Sequence, residues 1–371
     1  MLIVDAHEDL AWNMLTFGRD YTLSAAEIRR REQGSEIPVL NDDAMIGWPD
    51  YQRGRVGLVF ATLFASPARH CAGAWDKLCY DDARQASRLY RSQLDVYARL
   101  VDDHPDKFQT VRTRPDLKNL LASWEKPPLL DEETGAVRQG NPVGMLVLME
   151  GADAIRDPGE LDEWWRLGVR LIGPAWVSTI YSGGWREPGP LTSAGFELLE
   201  RMGELGFGLD LSHMDEQAAY QALDAYPGHI LASHSNAQAL LKGDETNRHL
   251  PDRLIRGILE RDGVIGVHPY NAYLKAGWKR GDRRAEVTLD RLIEQIDYMC
   301  QMAGNAAHVG IGSDFDGGLG LQSAPVGIDS VADLPVLAPL LMEKGYSNED
   351  CDAILGGNWL SIARKVLPEN E

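Results

Sequence analysis

The feature that most limits what this chain can fold into is a short apolar run that recurs eight times. The runs are residues 2–6 (LIVDA), 56–64 (VGLVFATLF), 143–149 (VGMLVLM), 169–176 (VRLIGPAW), 207–212 (FGLDLS), 229–233 (HILAS), 263–268 (GVIGVH) and 308–313 (HVGIGS). Each is nearly continuous in apolar character, the pattern of parallel strands covered on both faces. Stretches with helical spacing separate them. Residues 82–103 place Ala83, Ala86, Leu89, Tyr90, Leu94, Tyr97, Ala98 and Leu100 along one stripe of a charged helix. Thr192 offers a cap and Gly206 a stop for a second helix, and Asp215 opens a third. Pro251 fits a first turn, and Thr288 and Ser347 open two more. This alternation predicts a (β/α)8 barrel of the TIM type, in the α/β class, rather than an open doubly wound sheet. No GxGxxG follows the first run, which argues against dinucleotide binding. The chain is expected to form one such domain over 1–371, with residues 17–49 and 69–77 as loops and short helices over the barrel mouth.

Charge narrows the partners. The chain carries 37 Lys+Arg against 56 Asp+Glu, a net charge of −19, which disfavours nucleic acid and anionic membrane surfaces. No stretch reaches the roughly 18 apolar residues of a membrane span, and the opening MLIVDAHEDLAW lacks a basic segment and breaks at Asp5, unlike a signal peptide. Cys71, Cys79, Cys300 and Cys351 show no CxxC spacing and are expected to be reduced thiols packed as small apolar groups. These features lead to the expectation of a cytoplasmic protein.

In a barrel of this kind the reactive groups follow the carboxyl ends of the strands. That rule selects His7 and Asp9 after the first run, Glu150 after the third, His213 after the fifth, His234 after the sixth, His268 after the seventh and Asp314 after the eighth. His229 and His308 begin their runs and fall on the opposite face. Each selected residue also has an ordinary structural reading. His7-x-Asp9 could be a surface pair, Glu150 a cap, DLSH and ASHS helix-capping segments, and Asp314 and Asp316 the shapers of a Gly-rich turn. Taken together they put histidines and carboxylates at one mouth, where charges so close lose solvation unless something pairs them. Imidazole plus carboxylate favours Zn²⁺, with Mn²⁺, Co²⁺ or Fe²⁺ as alternatives. The number of ligands exceeds what one catalytic zinc needs and suits two ions about 3.5–4 Å apart that share a carboxylate.

In order and spacing, His7-x-Asp9, Glu150-Gly151, Asp210-Leu211-Ser212-His213, Ser233-His234-Ser235 and Asp314-Phe315-Asp316-Gly317 resemble the membrane (renal) dipeptidase family of amidohydrolase-type metal barrels. Residues 189–213, Arg248 within NRHLPD, and Gly357-Asn358-Trp359-Leu360 extend the resemblance nearly end to end. The resemblance implies that His7 and Asp9 hold one zinc and His213 and His234 the other, with Glu150 bridging. It further implies that a metal-bridging hydroxide attacks the amide carbonyl of a dipeptide. Asp314 would be the general acid/base and Arg248 the group that binds the substrate carboxylate. A homodimer is a family-level expectation. Two departures bear on substrate. Trp176 stands where the family has a histidine in a Leu-Thr-x-Thr-His run, and His249 stands where it has Asn after the arginine. His268 could take the place of the missing histidine, or be a hydrogen-bonded residue of the mouth. The alternatives to a dipeptidase are a related hydrolase of another N-acyl amino acid or a lactone, and a non-catalytic metal-binding barrel.

Overall fold

A computed structural model of the chain describes residues 2–243 and 246–370. All eight apolar runs form parallel strands: β1 Ile3–Glu8, β2 Val56–Leu63, β3 Val143–Glu150, β4 Val169–Gly173, β5 Gly208–Asp210, β6 Ile230–Ala232, β7 Val264–Val267 and β8 Val309–Ile311. Every residue in them is buried, as strands enclosed on one side by the barrel interior and on the other by helices must be. Each strand pairs with the next in sequence order, and the Asp5↔Ile311 register joins β8 back to β1 and closes the barrel. The longest ladder runs from Leu58↔Gly144 to Leu63↔Met149 between β2 and β3.

The helices that cover the barrel start where the sequence supplies an acceptor for a free N–H. Asp82 accepts from Gln85 N at 2.7 Å, Thr192 from Gly195 N at 3.0 Å and Asp215 from Gln217 N at 2.9 Å. They open α1 Ala83–Asp103, α2 Ser193–Leu205 and α3 Glu216–Ala225. Gly206 ends α2 in the left-handed region at φ 87°. Pro251 takes the N-cap position of α4 Asp252–Glu260 rather than its first turn. The C-terminal α5 Asn358–Val366 is locked to the base of β8, since Asn358 Nδ2 donates to the carbonyls of Ala306 and Val309, both at 2.7 Å. Trp359, fully buried, donates its indole N–H to Ile311 O at 3.0 Å. A side chain at Gly310 would sit 2.1 Å from that indole nitrogen, so the strand needs glycine there.

Two further features depart from the sequence expectation. Phe108–Thr110 forms an additional short strand that pairs with the amino-terminal half of β3, just below the place where β4 joins it. Three residues give too little periodicity for sequence reading to detect. Cys71 and Cys79 are not reduced thiols: they form a disulfide across eight residues, while Cys300 and Cys351 are free and buried as expected. The loop between them brings the two sulfurs together, a tertiary fact that sequence spacing does not carry. Disulfides persist mainly in oxidising compartments, so the cytoplasmic expectation loses its support from cysteine usage. Among the described residues no helix is long and apolar enough to cross a membrane.

Candidate active site

The carboxyl ends of the strands deliver the selected residues to one mouth. His7 lies within β1, Glu150 ends β3, His234 follows β6 by two residues and His268 directly follows β7. His213 and Asp314 each sit three residues past their strand, with φ of 67° and 54°. Left-handed backbone in a residue other than glycine costs about 1–3 kcal/mol and persists where the surroundings enforce it, often at functional sites. Here it turns both side chains back over the barrel. A side chain at Gly317 would fall 1.9 Å from Asp314 Oδ1 and 2.6 Å from Asp9 Oδ2, so the turn after β8 must be glycine to leave that space open.

Glu150 is the hub. Its Oε1 lies 2.8 Å from His213 Nε2 and 3.6 Å from both His7 Nε2 and His234 Nε2. His213 Nε2 and His234 Nε2 are 2.8 Å apart, and the rings of His7 and His234 have centroids 3.8 Å apart. Ligand atoms of His7, Asp9 and Asp314 also lie within 4.8 Å of one another. The surroundings orient these rings. Ser233 Oγ donates to Asp210 Oδ2 at 2.5 Å, which leaves it to accept from His234 Nδ1 at 2.8 Å. His234 Nε2 therefore faces Glu150 without a proton. Asp210 also accepts from the Ser212 and Ser233 amides, at 3.0 and 2.9 Å. Thr62 Oγ1 donates to Asp9 Oδ1. A bare His234 Nε2, a carboxylate between three imidazoles, and a buried His7 Nε2 with no hydrogen-bond partner make a donor set that fits divalent cations once the other two rings give up a proton.

Electrostatics divides the groups. Burial would lower His7, but Glu150, Asp314 and Asp9 outweigh it and raise its pKa to about 10. Burial works against ionised Glu150, yet His7 and His213 hold it below the usual carboxylate range. Burial and the Arg248 charge lower His213 to about 4, and burial, followed by His7 and Arg248, pushes His234 well below the usual imidazole range. Asp9 rises to about 6 through burial and Glu150. Burial pushes Asp314 well up, opposed by His7 and reinforced by Asp9 and Glu150.

Asp314 stands between two imidazoles, with Oδ1 3.8 Å from His7 Nε2 and Oδ2 3.4 Å from His268 Nε2. His268 donates from Nδ1 to Ser313 O at 3.1 Å, which turns its Nε2 to the site. Arg248 is buried, donating to His234 O at 2.7 Å and Ser235 Oγ at 3.2 Å, with its Nε unpartnered and its guanidinium over the Tyr273 ring. No carboxylate among the described residues pairs with it. Trp176 lies beside the cluster, its ring centroid 6.4 Å from His213 and 4.9 Å from Phe64. Asp9, Glu150, Trp176, His213 and Asp314 line a cavity of about 550 Å³, within the roughly 300–1,000 Å³ usual for small-molecule sites. Sequence reasoning placed residues 69–77 over the mouth but missed the aromatic wall that Trp12, Phe64 and Trp75 build there. Trp12, three residues after Asp9, was the signal within reach. His229 and His308 sit at the far end of the barrel, His308 Nδ1 bonding Gly263 O at 2.9 Å.

A closed parallel barrel with imidazoles and carboxylates gathered at its carboxyl-end mouth is the architecture of a metal-dependent hydrolase. The family description "Membrane dipeptidase (Peptidase family M19)" matches residues 1–370, and the chain belongs to that family. It is 34% identical over 239 residues to an uncharacterised protein in the pqqA 5′ region of Klebsiella pneumoniae, covering 62% of this chain and 84% of the other. It is 29% identical over 379 residues to an uncharacterised dipeptidase of Schizosaccharomyces pombe, covering 98% and 80%. In fold it is similar to a metallopeptidase from Rhodobacter sphaeroides liganded with a phosphinate mimic of L-Ala-D-Ala, with TM-score 0.76, 23% identity and 99% of each chain covered. It is also similar to the probable dipeptidase PvdM from Pseudomonas aeruginosa, with TM-score 0.75, 20% identity, and 99% and 96% covered. The chain is thus an enzyme of the dipeptidase type, and its family implies metal ions.

Proposed function

We propose that the protein hydrolyses dipeptides with two zinc ions at the barrel mouth, His7 and Asp9 on one, His213 and His234 on the other, and Glu150 shared. The observation that carries this reading is the position of Glu150, whose one oxygen lies within 3.6 Å of an imidazole nitrogen from each of three strands. Divalent ions at such a site lower the pKa of water toward neutrality and polarise a carbonyl. The remaining work belongs to side chains. Asp314, with its raised pKa, can take a proton on Oδ2 from the attacking water and return it to the leaving amine. His268, fixed by its Nδ1–H to Ser313 O, turns an unprotonated Nε2 to within 3.4 Å of that same carboxyl oxygen, where it can accept the proton that Asp314 carries. Arg248, buried and with no carboxylate partner among the described residues, binds the C-terminal carboxylate of the substrate. Trp176 replaces a titratable group by an aromatic wall, and its indole N–H is the one polar contact it can offer.

The test is turnover of a dipeptide panel, including L,L and L,D pairs, by protein stripped with a chelator and reloaded with zinc. Activity that is lost on stripping and returns on reloading is expected. A fully loaded protein that cleaves N-acyl amino acids or lactones but no dipeptide would overturn the dipeptide reading.

A further inference from the structure

Strand order, taken with the proposed roles of Arg248 and Glu150, sets which way a substrate would lie. Around the closed barrel β2 stands opposite β6. Arg248 follows β6, while the aromatic side of the cavity is built by residues that follow β1 and β2. A dipeptide with its carboxylate on Arg248 and its scissile carbonyl over Glu150 therefore extends its amino-terminal residue toward Trp12, Phe64 and Trp75. These rings form a continuous wall. Trp75 stacks on Phe17 at 5.4 Å and meets Trp12 edge-on at 6.2 Å. Trp12 meets Phe64 at 6.3 Å, and Phe64 meets Trp176 at 4.9 Å, so the wall reaches the metal-binding cluster. Trp12 and Phe64 are buried, whereas Trp75 and Trp176 are only half-buried and leave ring surface facing the cavity.

Two cross-links hold the wall. The Cys71–Cys79 disulfide closes the loop that contains Trp75 and Asp76, and Asp76 accepts from the Trp12 indole at 3.3 Å. Beside it, Arg69 grips Glu187 with two bonds of 2.8 and 2.7 Å, and His70 Nε2 lies 2.8 Å from the same carboxylate. That ties the loop after β2 to the loop after β4, which carries Trp176.

We propose that Trp12, Phe64, Trp75 and Trp176 form a subsite for an aromatic or large apolar side chain on the amino-terminal residue of the substrate, with the Cys71–Cys79 disulfide positioning Trp75 in it. The proposal rests on the dipeptidase reading. Its test compares kcat/KM for Phe-Ala, Leu-Ala, Ala-Ala and Ala-Phe in wild type, Trp75→Ala and the Cys71→Ser/Cys79→Ser double variant. Burial of one large apolar side chain predicts that wild type prefers Phe-Ala to Ala-Ala by about 10-fold or more. Trp75→Ala should lose most of that ratio and the double variant part of it. Ala-Ala turnover with a flat panel, or a preference for Ala-Phe over Phe-Ala, would overturn the subsite and leave the dipeptidase reading intact. If no dipeptide is cleaved, calorimetric titration with phenylalaninamide against alaninamide reads the subsite by itself. Tighter binding of phenylalaninamide, weakened by Trp75→Ala, supports it, and equal or absent binding overturns it.

Discussion

Replacing Arg248 by Met isolates what a single buried charge does for substrate choice. Arg248 is 3% exposed, its guanidinium anchored through two of its nitrogens and paired with no carboxylate among the described residues. Its Nε has no hydrogen-bond partner, which leaves donor capacity for a ligand. A hydrogen bond to a charged group contributes about 1.5–3 kcal/mol, and at about 1.4 kcal/mol per factor of ten that is roughly 10–150-fold in kcat/KM. Wild type should therefore prefer a free-acid dipeptide over its C-terminal amide by a factor in that range, and Arg248→Met should bring the ratio close to one. Met retains much of the aliphatic packing. The variant does lose the bond to His234 O, so metal content must be measured alongside the kinetics to separate a binding defect from a disturbed ligand. Stopped assays with the acid and amide of the same dipeptide suffice. Equal rates for acid and amide in wild type would refute the reasoning, because the carboxylate would then have no partner in the site.

Other perturbations separate the remaining roles. Asp314→Asn keeps the shape but cannot carry a proton, and should lower kcat by roughly 10²–10⁴-fold with metal content retained; activity within a few-fold of wild type would make Asp314 a turn residue only. Glu150→Gln should reduce metal content at both sites, whereas His213→Ala should empty mainly one, as read by elemental analysis. Metal entry also has a proton cost. His7, with its pKa raised to about 10, is protonated at pH 7 in the metal-free protein, and metal must displace that proton. Affinity should fall as pH falls, by about tenfold per unit from this group alone. Calorimetry in buffers of different ionisation enthalpy should show at least one proton released per chain, and a buffer-independent heat would contradict it.

The barrel was legible because its strands are enclosed on both faces: an apolar run such as 56–64 has no polar alternation to confuse it with a surface strand. The position rule then separated His7, His213, His234 and His268 from His229 and His308, since only the former lie at or beyond the carboxyl ends of their strands. What the sequence did not carry was lateral contact between elements. Phe108–Thr110 becomes a strand only through Val143–Met145 beside it, and Cys71 meets Cys79 only because the loop turns back on itself. Trp75 and Glu187 were invisible for the same reason, as each takes its place from loops that approach one another across the mouth. The left-handed backbone at His213 and Asp314 was equally unreadable: His and Asp adopt it more readily than most residues, but residue type alone does not say which of them will.

The arrangement of metal around Glu150 is the point on which the account turns, and a crystal of the zinc-loaded protein with anomalous data at the zinc edge addresses it directly. The three imidazole nitrogens crowd one carboxylate oxygen within 3.6 Å, so two arrangements compete: two ions flanking Glu150, or one ion claimed by all three histidines. The account predicts two peaks, one held by His7 and Asp9, the other by His213 and His234, with Glu150 contacting both. A single fully occupied peak ligated by His7, His213 and His234 together would contradict it.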